Sequence, residues 1–241
     1  MLGCASRQRF CVLSQAAAMT GGCWALVPVK TRGLCKSRLS DRLAAEARLS
    51  LVRSMLERCL GALRESRTID RIAVVSPERD TIPSDILMLA DPGGGLNAAL
   101  EAGRLALLEQ GARELLVLPA DLPLVTAGDI DTLVDLGRRG GFALATDAAG
   151  TGTNALYVAP PAPFRFQFGP GSRFLHMQEA VRLGLGAELL RTAGLELDVD
   201  GPSDLGELIA RDDVRYRALP LRTAELTTAA GAPPLGGAAS G

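Results

Sequence analysis

The feature that most constrains this chain is an alternation along its length: short runs rich in β-branched and aliphatic residues take turns with longer segments of helical period. That order builds a parallel sheet covered by helices, because a parallel pair needs a crossover between its strands. The expected strands are Trp24–Val29, Arg71–Ser76, Ile86–Ala90, Glu114–Pro119, Phe142–Thr146, Asn154–Ala159 and Leu195–Val199. The expected helices are Asp41–Ser66, Leu96–Gln110, Ala127–Arg138, Ser172–Leu183 and Ser203–Arg211. In the first, Leu39, Leu43, Ala47, Leu51, Met55 and Leu63 recur on one face, with Ser40 expected as the N-cap. The fold class is therefore α/β, one Rossmann-like domain with a mostly parallel sheet flanked by helices.

The ends break this pattern. Residues 1–22 carry Arg7 and Arg9 before an apolar run too short for a signal peptide, and Met19 precedes the first strand. They read as a disordered extension or a mis-assigned start. Residues 222–241, rich in Ala, Gly, Thr and Pro, read as a disordered tail. The domain is expected over residues 23–221, and it shows neither an internal repeat nor a linker. Basic and acidic residues number 26 and 27, so global charge gives no reason to expect a nucleic-acid or membrane-surface partner. No stretch reaches the roughly 20 apolar residues of a membrane span. The five cysteines crowd into the first quarter with no C-x-x-C pair, which fits a reducing compartment and a cytoplasmic location.

In open α/β sheets ligands bind beyond the carboxyl ends of the strands, so the loops there carry the functional reading. The first follows Pro28 and holds Lys30, Arg32, Lys36 and Arg38. Lys30 and Lys36 are the only lysines of the chain, against 24 arginines. A cluster of two compact ammonium groups and two guanidinium forks suits a triphosphate. A solvated surface loop explains the basic residues as well; the confinement of lysine to this loop favours binding. The second loop, Asp91 to Leu100, has Gly93, Gly94 and Gly95 opening a helix, with Asn97 able to donate to and accept from a base edge. A plain glycine turn is its alternative. Since the triplet is not G-x-G-x-x-G, a nicotinamide cofactor is disfavoured.

The third loop projects Asp121 from the end of a continuous apolar run, and the fourth places Asp198 and Asp200 two apart in an extended stretch. Carboxylates at strand ends suit a Mg²⁺ that bridges nucleotide phosphates, and caps of turns are the alternative. If three such carboxylates met with no cation, they would repel, so removing one is expected to leave the protein as stable or more stable. Two further loops look substrate-binding: Gly150-Thr151-Gly152-Thr153-Asn154, and Phe168 to His176, where an anion could sit at the helix begun by Ser172. His176, the sole histidine, reads as a site-lining or packing residue, because a phosphate nucleophile is already ionised at neutral pH.

Taken in order, PVK…CKSRL, GGGLNAAL, LPADLP, GTGTN, FGPGSRFLH and DVDGPSDL resemble the phospholactate guanylyltransferase family of coenzyme F-420 biosynthesis. The resemblance spans about Cys23 to Leu221 and implies a nucleotidyltransferase fold. It further implies that Pro28, Lys30 and Lys36 bind triphosphate, with Gly94, Gly95 and Asn97 at the nucleotide. Asp121, Asp198 and Asp200 match metal ligands, and Thr153, Gly169 and Ser172 match positions that hold a phosphorylated acid. Cys35 departs from the usual alanine. The implied reaction is transfer of GMP from GTP to 2-phospholactate, phosphoenolpyruvate or 3-phosphoglycerate, with Mg²⁺ as cofactor, Lys30, Lys36 and Asp121 as its catalytic groups, and a homodimer compatible with it. Two rivals remain: a related transferase acting on molybdopterin or a sugar phosphate, and a nucleotide-binding module without catalysis.

Overall fold

The computed structural model describes residues 22–29, 36–80, 82–161, 163–211, 214–217 and 219–220. Lys30, and with it Thr31 to Cys35, lies outside the described residues. The elements run β1 (Cys23–Pro28), a 3-10 turn (Ser37–Leu39), α1 (Ala45–Glu65), β2 (Ile69–Ser76), β3 (Leu87–Ala90), α2 (Leu96–Glu109) and β4 (Leu115–Val117). They continue with α3 (Ala127–Gly140), β5 (Gly141–Ala145), β6 (Ala155–Val158), α4 (Ser172–Arg182), β7 (Gly186–Leu190), α5 (Ala193–Glu196), α6 (Pro202–Ala210) and α7 (Val214–Arg217).

The seven strands form one sheet in the order β3-β2-β1-β4-β6-β5-β7. β1 pairs in parallel with β2 and β4, β2 with β3, and β5 with β7, whereas β6 runs antiparallel to both β4 and β5. The reversal has a chain-length cause. Residues 146–154 between β5 and β6 contain no helix and are too few for a parallel crossover, so β6 must return beside its predecessor. As a result the start of β6 shares an edge with the carboxyl ends of the other six strands.

Alternate residues of the central strands feed two cores. Ala25 and Val27 of β1 point to the face covered by α1 and α3, where Leu56, Leu60, Leu63, Ile130, Leu133 and Val134 are buried. Trp24 and Leu26 point to the face covered by α2, with Leu100 and Leu107, and by Ala180 of α4. Central strands buried on both faces explain why they read as continuous apolar runs. A third cluster joins Leu39, Leu43, Leu51 and Met55 to Leu197, Val199, Leu205 and Leu208. It fastens the chain near residue 200 against the 3-10 turn after Lys36, two segments far apart in sequence.

Two expectations are corrected. Leu195–Val199 is not a strand of the sheet: α5 ends at Glu196, and the following extended stretch crosses the sheet edge, where Val199 N donates to Asp121 O at 3.2 Å. The period-two burial of Leu195, Leu197 and Val199 is real, but it serves two hydrophobic clusters instead of a ladder. The seventh strand is Gly186–Leu190, whose exposed edge position leaves little apolar signature. Nor does Ser40 cap α1, whose N-cap is Ala44. Leu39 and Leu43 belong to a single turn closed by Leu43 N to Leu39 O at 2.9 Å, which ends before the helix begins.

Candidate active site

A cavity of about 520 Å³ opens at the carboxyl edge of the sheet, lined in part by Pro28, Lys36, Gly95, Leu96, Asp121 and Asp200. That volume lies in the ordinary range of small-ligand sites. Its floor is the end of β1 and its walls are the loops after β3 and β4.

The loop carrying Asp121 is fixed from beneath. Arg58 Nε of α1 donates to Val125 O at 2.8 Å, and the Cys59 thiol approaches Pro119 O and Leu122 O. At its far end Thr126 and Asp129 form a reciprocal capping box that starts α3. Asp121 Oδ2 accepts from the Lys36 ammonium at 3.1 Å, and Asp200 Oδ1 accepts from the same nitrogen at 2.7 Å. Lys36 itself adopts the left-handed conformation, φ 54° and ψ 39°, the sole non-glycine among the described residues with positive φ. A side chain in that region costs on the order of 1 kcal/mol, which the double ion pair offsets. Burial alone would lower the Lys36 pKa; the charges and hydrogen bonds of Asp121 and Asp200 outweigh it and hold the ammonium above its usual range.

Asp198 lies behind this clasp. Asn154 Nδ2 donates to its Oδ1 at 3.1 Å and also to the carbonyls of Leu195 and Glu196, so the start of β6 pins the strand-crossing segment. Burial, then the nearby charge of Asp121, push the Asp198 carboxyl above the usual carboxylate range against that hydrogen bond. Asn154 closes the Gly/Thr loop read from the sequence as substrate-binding, and its amide here holds the segment that carries Asp198.

The three predicted carboxylates thus come to one edge, although among the described residues no set of three His, Cys, Asp or Glu side chains converges on a single metal position. The donor set still fits a hard divalent ion. Mg²⁺ takes one or two carboxylates and completes its shell with phosphate and water, and Asp121 with Asp200 already encloses a positive charge.

The glycine turn has φ of 80°, 84° and 93° at Gly93, Gly94 and Gly95, all closed to ordinary side chains. Asp91 Oδ1 accepts from Gly93 N and shapes the turn. Asn97 bonds at both ends to the Phe168 main chain: Nδ2 donates to O at 3.0 Å and Oδ1 accepts from N at 2.8 Å. One amide hydrogen and one lone pair are left for a base edge, so Asn97 is first of all the tie between α2 and the loop before α4.

That loop and the Gly/Thr loop meet. Asp147 Oδ1 accepts from Thr151 N and Gly152 N at 2.8 and 2.9 Å, and Arg173 N donates to Thr151 O at 3.1 Å. The N-terminal amides of α4 are largely spent inside the protein, because Ser172 N bonds Gly169 O and Phe174 N bonds Gly171 O. An anion expected on bare helix amides must therefore rely on side chains here. Thr153 and Ser172 are buried beside one another's loops, and Gly169 has φ 133°. Pro28, Lys36, Gly95, Asp121 and Asp200 line the cavity, whereas Thr153, Gly169, Ser172, Gly94, Asn97 and Asp198 are not in its lining.

The sequence matches the family described as guanylyl transferase CofC like over residues 23–229. The chain belongs to that family. It is an enzyme, a nucleotidyltransferase, which sets aside the non-catalytic module. It is 41% identical over 199 residues to the phosphoenolpyruvate guanylyltransferase of Rubrobacter xylanophilus, covering 80% of this chain and 97% of that one. It is 32% identical over 208 residues to the 2-phospho-L-lactate guanylyltransferase of Methanothermobacter thermautotrophicus, covering 84% and 91%. Among solved structures, the 4-diphosphocytidyl-2C-methyl-D-erythritol synthase of Anaerococcus prevotii superimposes with a TM-score of 0.56 at 10% identity, over 79% of this chain and 96% of that one, a likeness of fold. No described helix is long and apolar enough to cross a membrane.

Proposed function

We propose that the CofC-like chain transfers GMP from GTP to a three-carbon phospho-acid and releases pyrophosphate. The acid is phosphoenolpyruvate, 2-phospholactate or 3-phosphoglycerate, and the product would serve coenzyme F-420 biosynthesis. The observation that carries this reading is the Lys36 ammonium held between Asp121 and Asp200 in a cavity bordered by a triple-glycine turn. Such a place offers carboxylates for a divalent cation and an ammonium for a polyphosphate. The names of the relatives support the phospho-acid as acceptor.

In the reaction, a phosphate oxygen of the acid attacks the α-phosphorus of GTP, and the bond to the β-phosphate oxygen breaks. Its nucleophile is ionised at neutral pH, so no general base is needed. What the protein supplies is position and charge. Lys36, together with Lys30, would neutralise the triphosphate and the departing pyrophosphate. Asp121 and Asp200, with Asp198, would hold Mg²⁺. When bound, Mg²⁺ would polarise the α-phosphate and lessen the charge repulsion that the incoming anion meets there. Gly93 to Gly95 let backbone approach the nucleotide, and the remaining capacity of Asn97 would favour guanine. Thr153, Ser172 and the Gly169 turn would hold the acid. Pyrophosphate release assayed with GTP or ATP against each acid tests the reading: release with GTP and one acid, abolished by EDTA, is expected, and release that ignores the acid would overturn it.

A further inference from the structure

His176 sits on α4, four residues after Ser172, and is fully buried against the rings of Phe164 and Phe168. Its Nε2 faces the main-chain N–H of Gln167 at 2.9 Å. A peptide N–H can only donate, so Nε2 carries a lone pair there. Burial favours the neutral ring and lowers its pKa to about 4, outweighing the opposing charge of Glu179. The single ring proton is then on Nδ1, which lies 3.0 Å from Thr153 Oγ1. Thr153 therefore accepts from the histidine, and its own hydroxyl hydrogen finds no acceptor among the described residues. Ser172, one helical turn before His176 and 2% exposed, likewise has a hydroxyl with no bond among the described residues.

Two largely buried hydroxyls whose hydrogens are not committed among the described residues, beside helix amides that are already satisfied, are available to donate to an anion. We propose that His176 is a positioning residue for the phospho-acid: by donating from Nδ1 it fixes Thr153 as a hydrogen-bond donor toward an anionic oxygen of that substrate. The inference rests on the assignment of Thr153 and Ser172 to the acid given above. Without the histidine proton, the threonine hydroxyl could turn inward and donate to the ring position instead, and the acid would lose one oriented donor.

Because the chain has one histidine, a single imidazole reports the tautomer without assignment. In the untagged, ¹⁵N-labelled protein at pH 7, long-range ¹H–¹⁵N spectra should show Nδ1 protonated and Nε2 bare. In steady-state assays His176→Leu should raise the KM for the acid about tenfold, the worth of one good hydrogen bond, with the KM for GTP unchanged. His176→Asn, whose amide nitrogen lies near the Nδ1 position, should recover most of that loss. Thr153→Val should match His176→Leu, and the double variant should be no worse than either. A proton on Nε2, an unchanged acid KM in His176→Leu or Thr153→Val, or additive losses in the double variant would overturn the proposal. If His176→Leu fails to fold, the wild-type spectrum and Thr153→Val decide. Should the parent enzyme turn over no phospho-acid, the functional reading fails while the tautomer is still read independently.

Discussion

Asp121→Asn separates the chemistry of the site from its architecture. Three carboxylates at one sheet edge would repel if taken alone, and removing one would stabilise the protein. The structure reverses that sign by placing Lys36 between two of them. Two unit charges about 3 Å apart attract by roughly 5 kcal/mol at an effective dielectric of ~20. Several effects reduce the net loss. The Asp121 side chain is 32% exposed and so partly screened, the asparagine oxygen still accepts from Lys36, Asp200 remains as a partner, and Asp198 loses a repulsive neighbour. The expected cost to the metal-free protein is therefore about 1 to 2 kcal/mol. Urea denaturation of the parent, Asp121→Asn, Lys36→Met and the double variant in EDTA measures it, with a coupling between the two sites of about 1 kcal/mol expected. Turnover of Asp121→Asn should fall at least a hundredfold. An asparagine variant more stable than the parent, or zero coupling with Lys36, would refute the clasp; near-normal turnover would remove Asp121 from the machinery.

Lys36→Ala should weaken GTP binding and, unlike an ordinary loop change, lower stability by about 1 to 2 kcal/mol because its side chain is 10% exposed and doubly paired; titration calorimetry and denaturation check both. Gly95→Ala meets no neighbour within 4 Å but must adopt φ 93°, ψ −177°, so a stability loss of about 1 to 3 kcal/mol with weaker nucleotide binding is expected. For His176 the folded pKa, about 4, lies below the ordinary 6.5, so the unfolded state takes up the proton first. Its contribution is complete above pH 6.5 and is lost as pH falls toward 4, at up to about 1.4 kcal/mol per pH unit; the difference between parent and His176→Leu denaturation curves should show that slope. ATP should replace GTP poorly, and equal turnover of the two would exclude a base-reading turn.

Much of this arrangement was legible in the chain. Strand-end loops holding Lys36, Gly95 and Asp121 were recognisable because a parallel sheet sends successive carboxyl ends to one edge, and all three line the cavity together with Asp200. The segment around Asp198 was misread as a strand, since the alternation of Leu195, Leu197 and Val199 is equally what an extended chain shows when it packs on helices. β7 was missed for the opposite reason: an edge strand with exposed residues carries little pattern. Pairings across long separations left no local trace. The Lys36–Asp200 contact spans 164 residues, and Asn97 spends its amide on Phe168, 71 residues on. His176 could be placed on the Ser172 face of its helix, but the Gln167 amide that sets its tautomer arrives through loop packing.

Transfer of the GMP group is followed by tracing the α-phosphorus. The enzyme would be incubated with Mg²⁺, GTP labelled at the α-phosphate, and each of the three phospho-acids in turn. One labelled product is expected, GMP joined to the acid through a P–O–P anhydride, formed in equal amount with pyrophosphate and absent in EDTA. Label recovered only as free GMP, or pyrophosphate released without any acid, would contradict it.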